Sequence, residues 1–141
     1  MRSYEKYKAQ LKLIMNKIHK IFKSKYILNP PIKKKILCFD DNQIFLFTKI
    51  FKINRMSYAC MNTRLQEINL FIVFKVFIKL ISFNQKLSNL LLIYYIEYIN
   101  WVKPNVIITL TDNNILFYKL KKYLPKIKFL SIQLGHRTEH R

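Results

Sequence analysis

Apolar residues first gather at helical spacing. Tyr4, Tyr7, Leu11, Ile14, Ile18, Ile21 and Phe22 recur every three or four positions, while Lys6, Lys12, Lys17, Lys20 and Lys23 mostly take other faces. The pattern predicts a basic amphipathic helix over residues 4–28. Asn29-Pro30-Pro31 stops it, since a residue before proline is pushed out of helical geometry. Beyond the prolines the period changes. Ile36-Leu37-Cys38-Phe39 is a continuous apolar run of the kind found in a strand buried on both faces. It ends in Asp40-Asp41-Asn42, and Asp41 or Asn42 can cap a helix over 43–51. Residues 56–61 read as a second strand, closed by Asn62-Thr63-Arg64. Residues 70–81 form a strongly apolar helix interrupted only by Lys75 and Lys79, and a polar turn at 83–86 leads to a further helix from Ser88 to Trp101. The run VIITL at 106–110 predicts a third strand. Thr111-Asp112-Asn113-Asn114 then supplies turn and N-cap chemistry. Ile115, Leu116, Tyr118, Leu120, Tyr123 and Leu124 recur helically until Pro125, and 128–133 is a last strand before Gly135, the single glycine.

Helix, then β-α-β-α-α-β-α-β, predicts an α/β fold. The expected form is a Rossmann-like parallel sheet of about four strands with helices on both faces, preceded by the amphipathic N-terminal helix. The chain divides accordingly into a helix at 1–31 and an α/β domain at 32–141. Polar residues just past the carboxyl ends of parallel strands face the crevice where ligands bind. Here they are Asp40, Asp41 and Asn42, then Arg64, Asp112, Asn113, Gln133, Gly135, His136 and Arg137. Asp112 and Asn113 head a helix whose free N–H groups favour an anion such as phosphate. Arg64 and Arg137 suit bidentate pairing with phosphate or carboxylate. Gly135 lets backbone approach a ligand closely, and His136 titrates near neutrality. Each also has a plainer role: capping, turning, or an ion pair with a surface carboxylate. No catalytic base stands out.

Charge changes the picture. The 141 residues carry a formal +19, and half of them are hydrophobic. That composition supports one domain with a real core. A balance so basic suits nucleic acid or an anionic membrane surface. Yet lysine, isoleucine, asparagine, phenylalanine and tyrosine dominate while glycine and alanine nearly vanish, as AT-rich coding produces, and the lysines are spread rather than blocked. With one glycine there is no P-loop and no G-x-G-x-x-G turn; G-x-S-x-G and H-E-x-x-H are missing too. Cys38 and Cys60 lie far apart in apolar runs, which suits buried thiols in a reducing compartment better than a disulfide framework. His136-x-x-Glu139-His140 has zinc-compatible spacing but reads as a tail, so no metal is expected. Lysines break every candidate signal-peptide core, and no uncharged run approaches the ~18–20 residues of a membrane span. A cytoplasmic location is expected.

The polar strand ends also carry a resemblance. Thr111, Asp112, Asn113, then Phe117-Tyr118-Lys119-Leu120, then Ser131-Ile132-Gln133, Gly135 and Arg137 resemble motifs of the bacterial surface carbohydrate biosynthesis family. Thr63-Arg64 and Ile68-Asn69-Leu70 echo its T-R…I-N-L stretch. The pattern departs at Leu134, where asparagine is usual, and at Gln66, where an acidic residue is usual, with Glu67 one place late. Members of that family resemble GT-B glycosyltransferases. The resemblance implies the N-terminal half of such a fold, a nucleotide-sugar donor and no cofactor in the chain itself. It further implies a truncated or split transferase-like protein, inactive alone, whose partner is a C-terminal half or second polypeptide. Such a protein works in the cytoplasm, peripherally at the inner membrane surface. The alternative is a small basic binding protein that takes nucleic acid or anionic membrane through its N-terminal helix and surface lysines.

Overall fold

In a computed structural model of the protein, residues 21–40, 44–83, 90–111 and 114–132 are described, together with Lys8 and His19. The apolar runs at 36–39 and 106–109 become neighbouring parallel strands because each is buried on both sides and pairs with the other. In chain order the elements are β1 (Lys25–Ile27), β2 (Ile36–Phe39), α1 (Ile44–Phe51), β3 (Ala59–Met61), β4 (Glu67–Asn69), α2 (Leu70–Phe83), α3 (Leu90–Val102), β5 (Val106–Thr109), α4 (Ile115–Tyr123) and β6 (Lys128–Ser131). The main sheet has the order β3-β2-β5-β6 and is parallel throughout. The α/β, Rossmann-like expectation holds: a four-stranded parallel sheet flanked by helices.

Alternation along the strands divides the core in two. Leu37, Phe39, Ala59, Met61 and Ile107 point to one face, where they meet Ile72 and Val76 of α2, Tyr95 and Ile99 of α3, and Phe117 and Leu120 of α4. Cys38, Cys60 and Ile108 point to the other, where Phe47 of α1 and Tyr58 cover them. The layering follows from the strand order. From β2 the chain crosses one way to β3 through α1, then back the other way to β5 and on to β6. Crossovers of one hand must therefore put α1 on one face and the later helices on the opposite face.

Two local readings are corrected, and the cap expected within residues 111–114 is found. The helix expected to run to residue 28 ends earlier: residues 21–23 are helical, but Lys25–Ile27 is a strand. It pairs in parallel with β4, Lys25 opposite Glu67 and Ile27 opposite Asn69. Backbone pairing with a segment forty residues away overrides the helical period over residues 25–27. The strand expected over 56–61 shrinks to Ala59–Met61, because Arg55–Ser57 forms a 3₁₀ turn capped by Asn54, whose Oδ1 accepts from Met56 N at 3.0 Å. The cap of α4 is Asn114, whose side chain accepts from Leu116 N at 3.0 Å.

With one glycine in the chain, left-handed positions fall to other residues: Asp40 (φ 83°), Lys52 (φ 50°), Leu65 (φ 60°) and Lys103 (φ 54°). Lys52 and Lys103 follow the ends of α1 and α3, where glycine is the usual terminator. Lys103 N still closes the last turn by donating to Ile99 O at 2.9 Å. Among the described residues no helix is long and apolar enough to cross a membrane.

Candidate functional site

The order β3-β2-β5-β6 reverses direction between β2 and β5, so the crevice of this sheet opens at the carboxyl ends of those two strands. On the β2 side it begins at Asp40. Its N–H donates to Met61 O at 3.1 Å, which extends the β2–β3 ladder by one rung and swings the residue inward. Aspartate tolerates a positive φ better than most residues do. The side chain is 9% exposed and lies 3.8 Å from Arg64 Nη2, while Arg64 itself is 60% exposed. A carboxylate withdrawn from water requires such a cation and further polar partners.

Arg64 is aimed by a wound loop. Asn62 Oδ1 accepts from both Arg64 N and Gln66 N, each at 3.1 Å. The Ser24 hydroxyl donates to Leu65 O, and Lys25 N donates to Gln66 O at 2.8 Å. From α3, the Tyr95 hydroxyl donates to Thr63 O at 3.0 Å and the Tyr98 hydroxyl to Cys60 O at 3.0 Å. Burial pushes the Tyr95 phenol well above its usual range, and the neighbouring Tyr94 and the negative charge of Asp40 add to this. Tyr95 thus remains a neutral donor beside the carboxylate.

On the β5 side the polar position is Thr109, fully buried, whose Oγ1 accepts from Thr111 N at 3.1 Å. It sits in register with Ser131 on β6, whose buried Oγ has no hydrogen-bond partner among the described residues. The start of α4, with its Asn114 cap, completes this side.

Of the expected site residues, Arg64 is placed at the crevice and joined to Asp40. Asp112, Asn113, Gln133, Gly135, His136 and Arg137 lie outside the described residues, as do Asp41 and Asn42. Thr109 was not singled out, although it is the one polar residue in VIITL. Tyr95 and Asn62 were not singled out. Asn62 has a signal in hindsight, an asparagine two residues before an arginine at a strand end, while Tyr95 carries none because it lies in an apolar helix read as core. Asn69, read only as part of a motif echo, is a buried junction. Its Oδ1 accepts from Ile72 N at 3.2 Å, its Nδ2 donates to Asn29 O at 2.8 Å, and its N–H donates to Tyr94 Oη at 3.0 Å.

Clefts lie at both ends of the main sheet. A groove of about 520 Å³ runs between the β1–β4 pair and β3, with Asn62, Glu67, Asn69, Tyr98, Arg55 and Cys60 along it. The larger cleft, about 840 Å³, lies at the opposite end of the sheet, lined by Lys103, Lys126 and Lys128 with Asn100 and Asn105. Size does not decide between them. Parallel strands direct their loops and helix N-termini to the carboxyl end, where a ligand finds oriented N–H groups. Comparison with models of known families, with curated proteins and with solved structures found no match to this chain.

Proposed function

We propose that the chain is a glycosyltransferase-like protein of surface polysaccharide synthesis. In this reading the carboxyl-end crevice receives a phosphate-bearing sugar or nucleotide, with a nucleotide sugar as the donor. The observation that carries the reading is the switch point itself: the reversal between β2 and β5 sets the Asp40–Arg64 pair opposite the head of α4. Arg64 is exposed enough to meet a ligand and is already oriented by Asn62. Asp112 and Asn113 follow in sequence the strand that ends at Thr109, and Arg137 follows the one that ends at Ser131. In this reading Arg64 and Arg137 hold anionic oxygens and the head of α4 adds backbone N–H donors.

A second reading rests on α2. Its Phe74, Phe77 and Ile81 are 62%, 58% and 69% exposed, with Val73 and Ile78 beside them. Lys75 caps the ring of Trp101 at 5.1 Å and Lys33 lies over the same ring at 4.8 Å. An apolar stripe bordered by lysines on a chain of formal charge +19 suits an anionic bilayer rather than nucleic acid.

Calorimetric titration of the full chain with a panel of nucleotide sugars and their nucleotides tests the first reading. Arg137→Ala and Arg64→Ala are each expected to weaken binding by about tenfold or more, the ~1.4 kcal/mol or more of a lost charged contact. Removing residues 1–20 is expected to leave binding intact, whereas a cut beyond residue 24 would strip β1 from β4. Absence of binding to every member of the panel would sink the reading. Salt-sensitive binding to phosphatidylglycerol vesicles, unaffected by Arg137→Ala, would put the α2 stripe in its place.

A further inference from the structure

The two cysteines are 22 positions apart in sequence and directly opposite in the sheet. Cys38 of β2 and Cys60 of β3 are register partners on adjacent parallel strands, between the pairs Leu37–Ala59 and Phe39–Met61. Their side chains point to the same face, among Phe47, Tyr58 and Ile108. Neighbouring strands lie about 4.8 Å apart, within the ~4.4–6.8 Å of Cα separation that a disulfide spans. Both are thiols here, Cys38 buried and Cys60 half-buried. We propose that Cys38 and Cys60 form a reversible disulfide site, closed across β2 and β3 by exchange with a low-molecular-weight disulfide.

The environment divides the roles. Cys38 Sγ lies 3.5 Å from Asp40 O and donates to it. Its thiol is pushed far above the ordinary cysteine range, first by its hydrogen bond with Cys60, then by burial and by the charges of Cys60 and Asp40, against which the Arg55 guanidinium works. Cys38 therefore holds its proton. Cys60 lines the groove along β1 and β4, near the Arg55 cation that lies over the Tyr58 ring at 5.0 Å. Cys60, the less buried of the two, attacks first. Its thiolate displaces one thiolate from the incoming disulfide and forms a mixed disulfide. Cys38 then gives up its proton and attacks Cys60 Sγ, expelling the second small thiol. The protein loses two hydrogens and two electrons, and the small disulfide becomes two thiols. The bond closes two residues before Asp40 in one strand and two before Asn62 in the other. It thus ties the sheet directly beneath the Asp40–Arg64 pair.

The test incubates the full chain with oxidised glutathione, blocks remaining thiols with N-ethylmaleimide, and reads intact mass and tryptic peptides. Lys49, Lys52 and Arg55 lie between the cysteines, so the two fall in separate peptides. The expected result is loss of two hydrogens, no maleimide, and a crosslink between the two peptides that dithiothreitol reverses. Cys38→Ser is expected to retain one glutathione on Cys60, and Cys60→Ser to leave Cys38 unmodified until the chain is unfolded. The wild-type map decides even if a variant fails to fold. Glutathione on both cysteines, a lasting single adduct, or two unreacted thiols in the folded wild type would each overturn the proposal.

Discussion

The two faces of the main sheet are built from the same strands but to different standards. On one, three helices cover Leu37, Phe39, Ala59, Met61 and Ile107, and their contacts are reinforced by rings. Phe117 meets Phe39 at 5.3 Å and Phe129 at 5.1 Å, both edge-on, and Phe71 meets Trp101 at 4.5 Å. Polar anchors join this face to the loops: Tyr94 to Asn69, Tyr95 to Thr63, Tyr98 to Cys60 and Trp101 to Pro31. On the other face the eight-residue α1 is the helix of the cluster. Phe47 packs on Phe51 and Tyr58, and Leu130 on β6 stays 45% exposed. The Tyr58 hydroxyl is buried there without a hydrogen-bond partner among the described residues. The many-helix face is over-determined and holds the loops of the crevice. The single-helix face is thinner and holds the thiol pair.

A matched pair of truncations measures the difference. Phe117 and Phe47 are the same residue type, both essentially fully buried, on opposite faces. Phe117→Ala is expected to cost about 4–5 kcal/mol and Phe47→Ala about 3, since a site closed by one helix collapses more readily around a lost ring. Equal costs in denaturant titrations would erase the distinction between the faces.

Alkaline pH probes the thicker face next. Burial raises the phenols of Tyr94 and Tyr95 above their ordinary range. The folded state therefore keeps protons that the unfolded chain releases above pH ~10, and stability falls as pH rises from there. Below that pH the contribution is fully present. Each tyrosine adds a slope of at most ~1.4 kcal/mol per pH unit. Tyr95→Phe is expected to flatten the curve of stability against pH, and an unchanged slope would remove this tyrosine from the account.

The smallest effect belongs to the thin face. Lys52 ends α1 with φ 50°, a conformation glycine adopts without strain. Lys52→Gly is expected to stabilise the protein by about 0.5–1 kcal/mol, read as a raised melting temperature. A loss of stability would mean that the side chain of Lys52 contributes more than its backbone costs.

The strands of the main sheet were legible because each is a compact apolar run bounded by polar residues. Ile36–Phe39 agrees residue for residue, and α1 to α4 agree within a few positions. Legibility failed where a partner far along the chain decides the conformation. Lys25–Ile27 continues a helical period yet becomes a strand through Glu67–Asn69. The crevice was legible as a set of strand ends, including Asp40 and Arg64, but their pairing was not. That pair depends on Asn62 winding a loop and on Asp40 adopting a left-handed turn, and neither leaves a periodic trace.

The amino-acid sequence by itself determined the α/β class, the position of each main strand and the residues at the strand ends, because burial on two faces and helix capping are local demands. It also determined the charge, and the lack of glycine that leaves lysine, leucine and aspartate in left-handed turns. Only the tertiary structure decided the order β3-β2-β5-β6, and with it the switch point, the unequal faces and the meeting of Cys38 with Cys60. Strand order is settled by which crossovers can pack their helices on a shared sheet. That is a competition among distant segments, and no single stretch of the chain records its outcome.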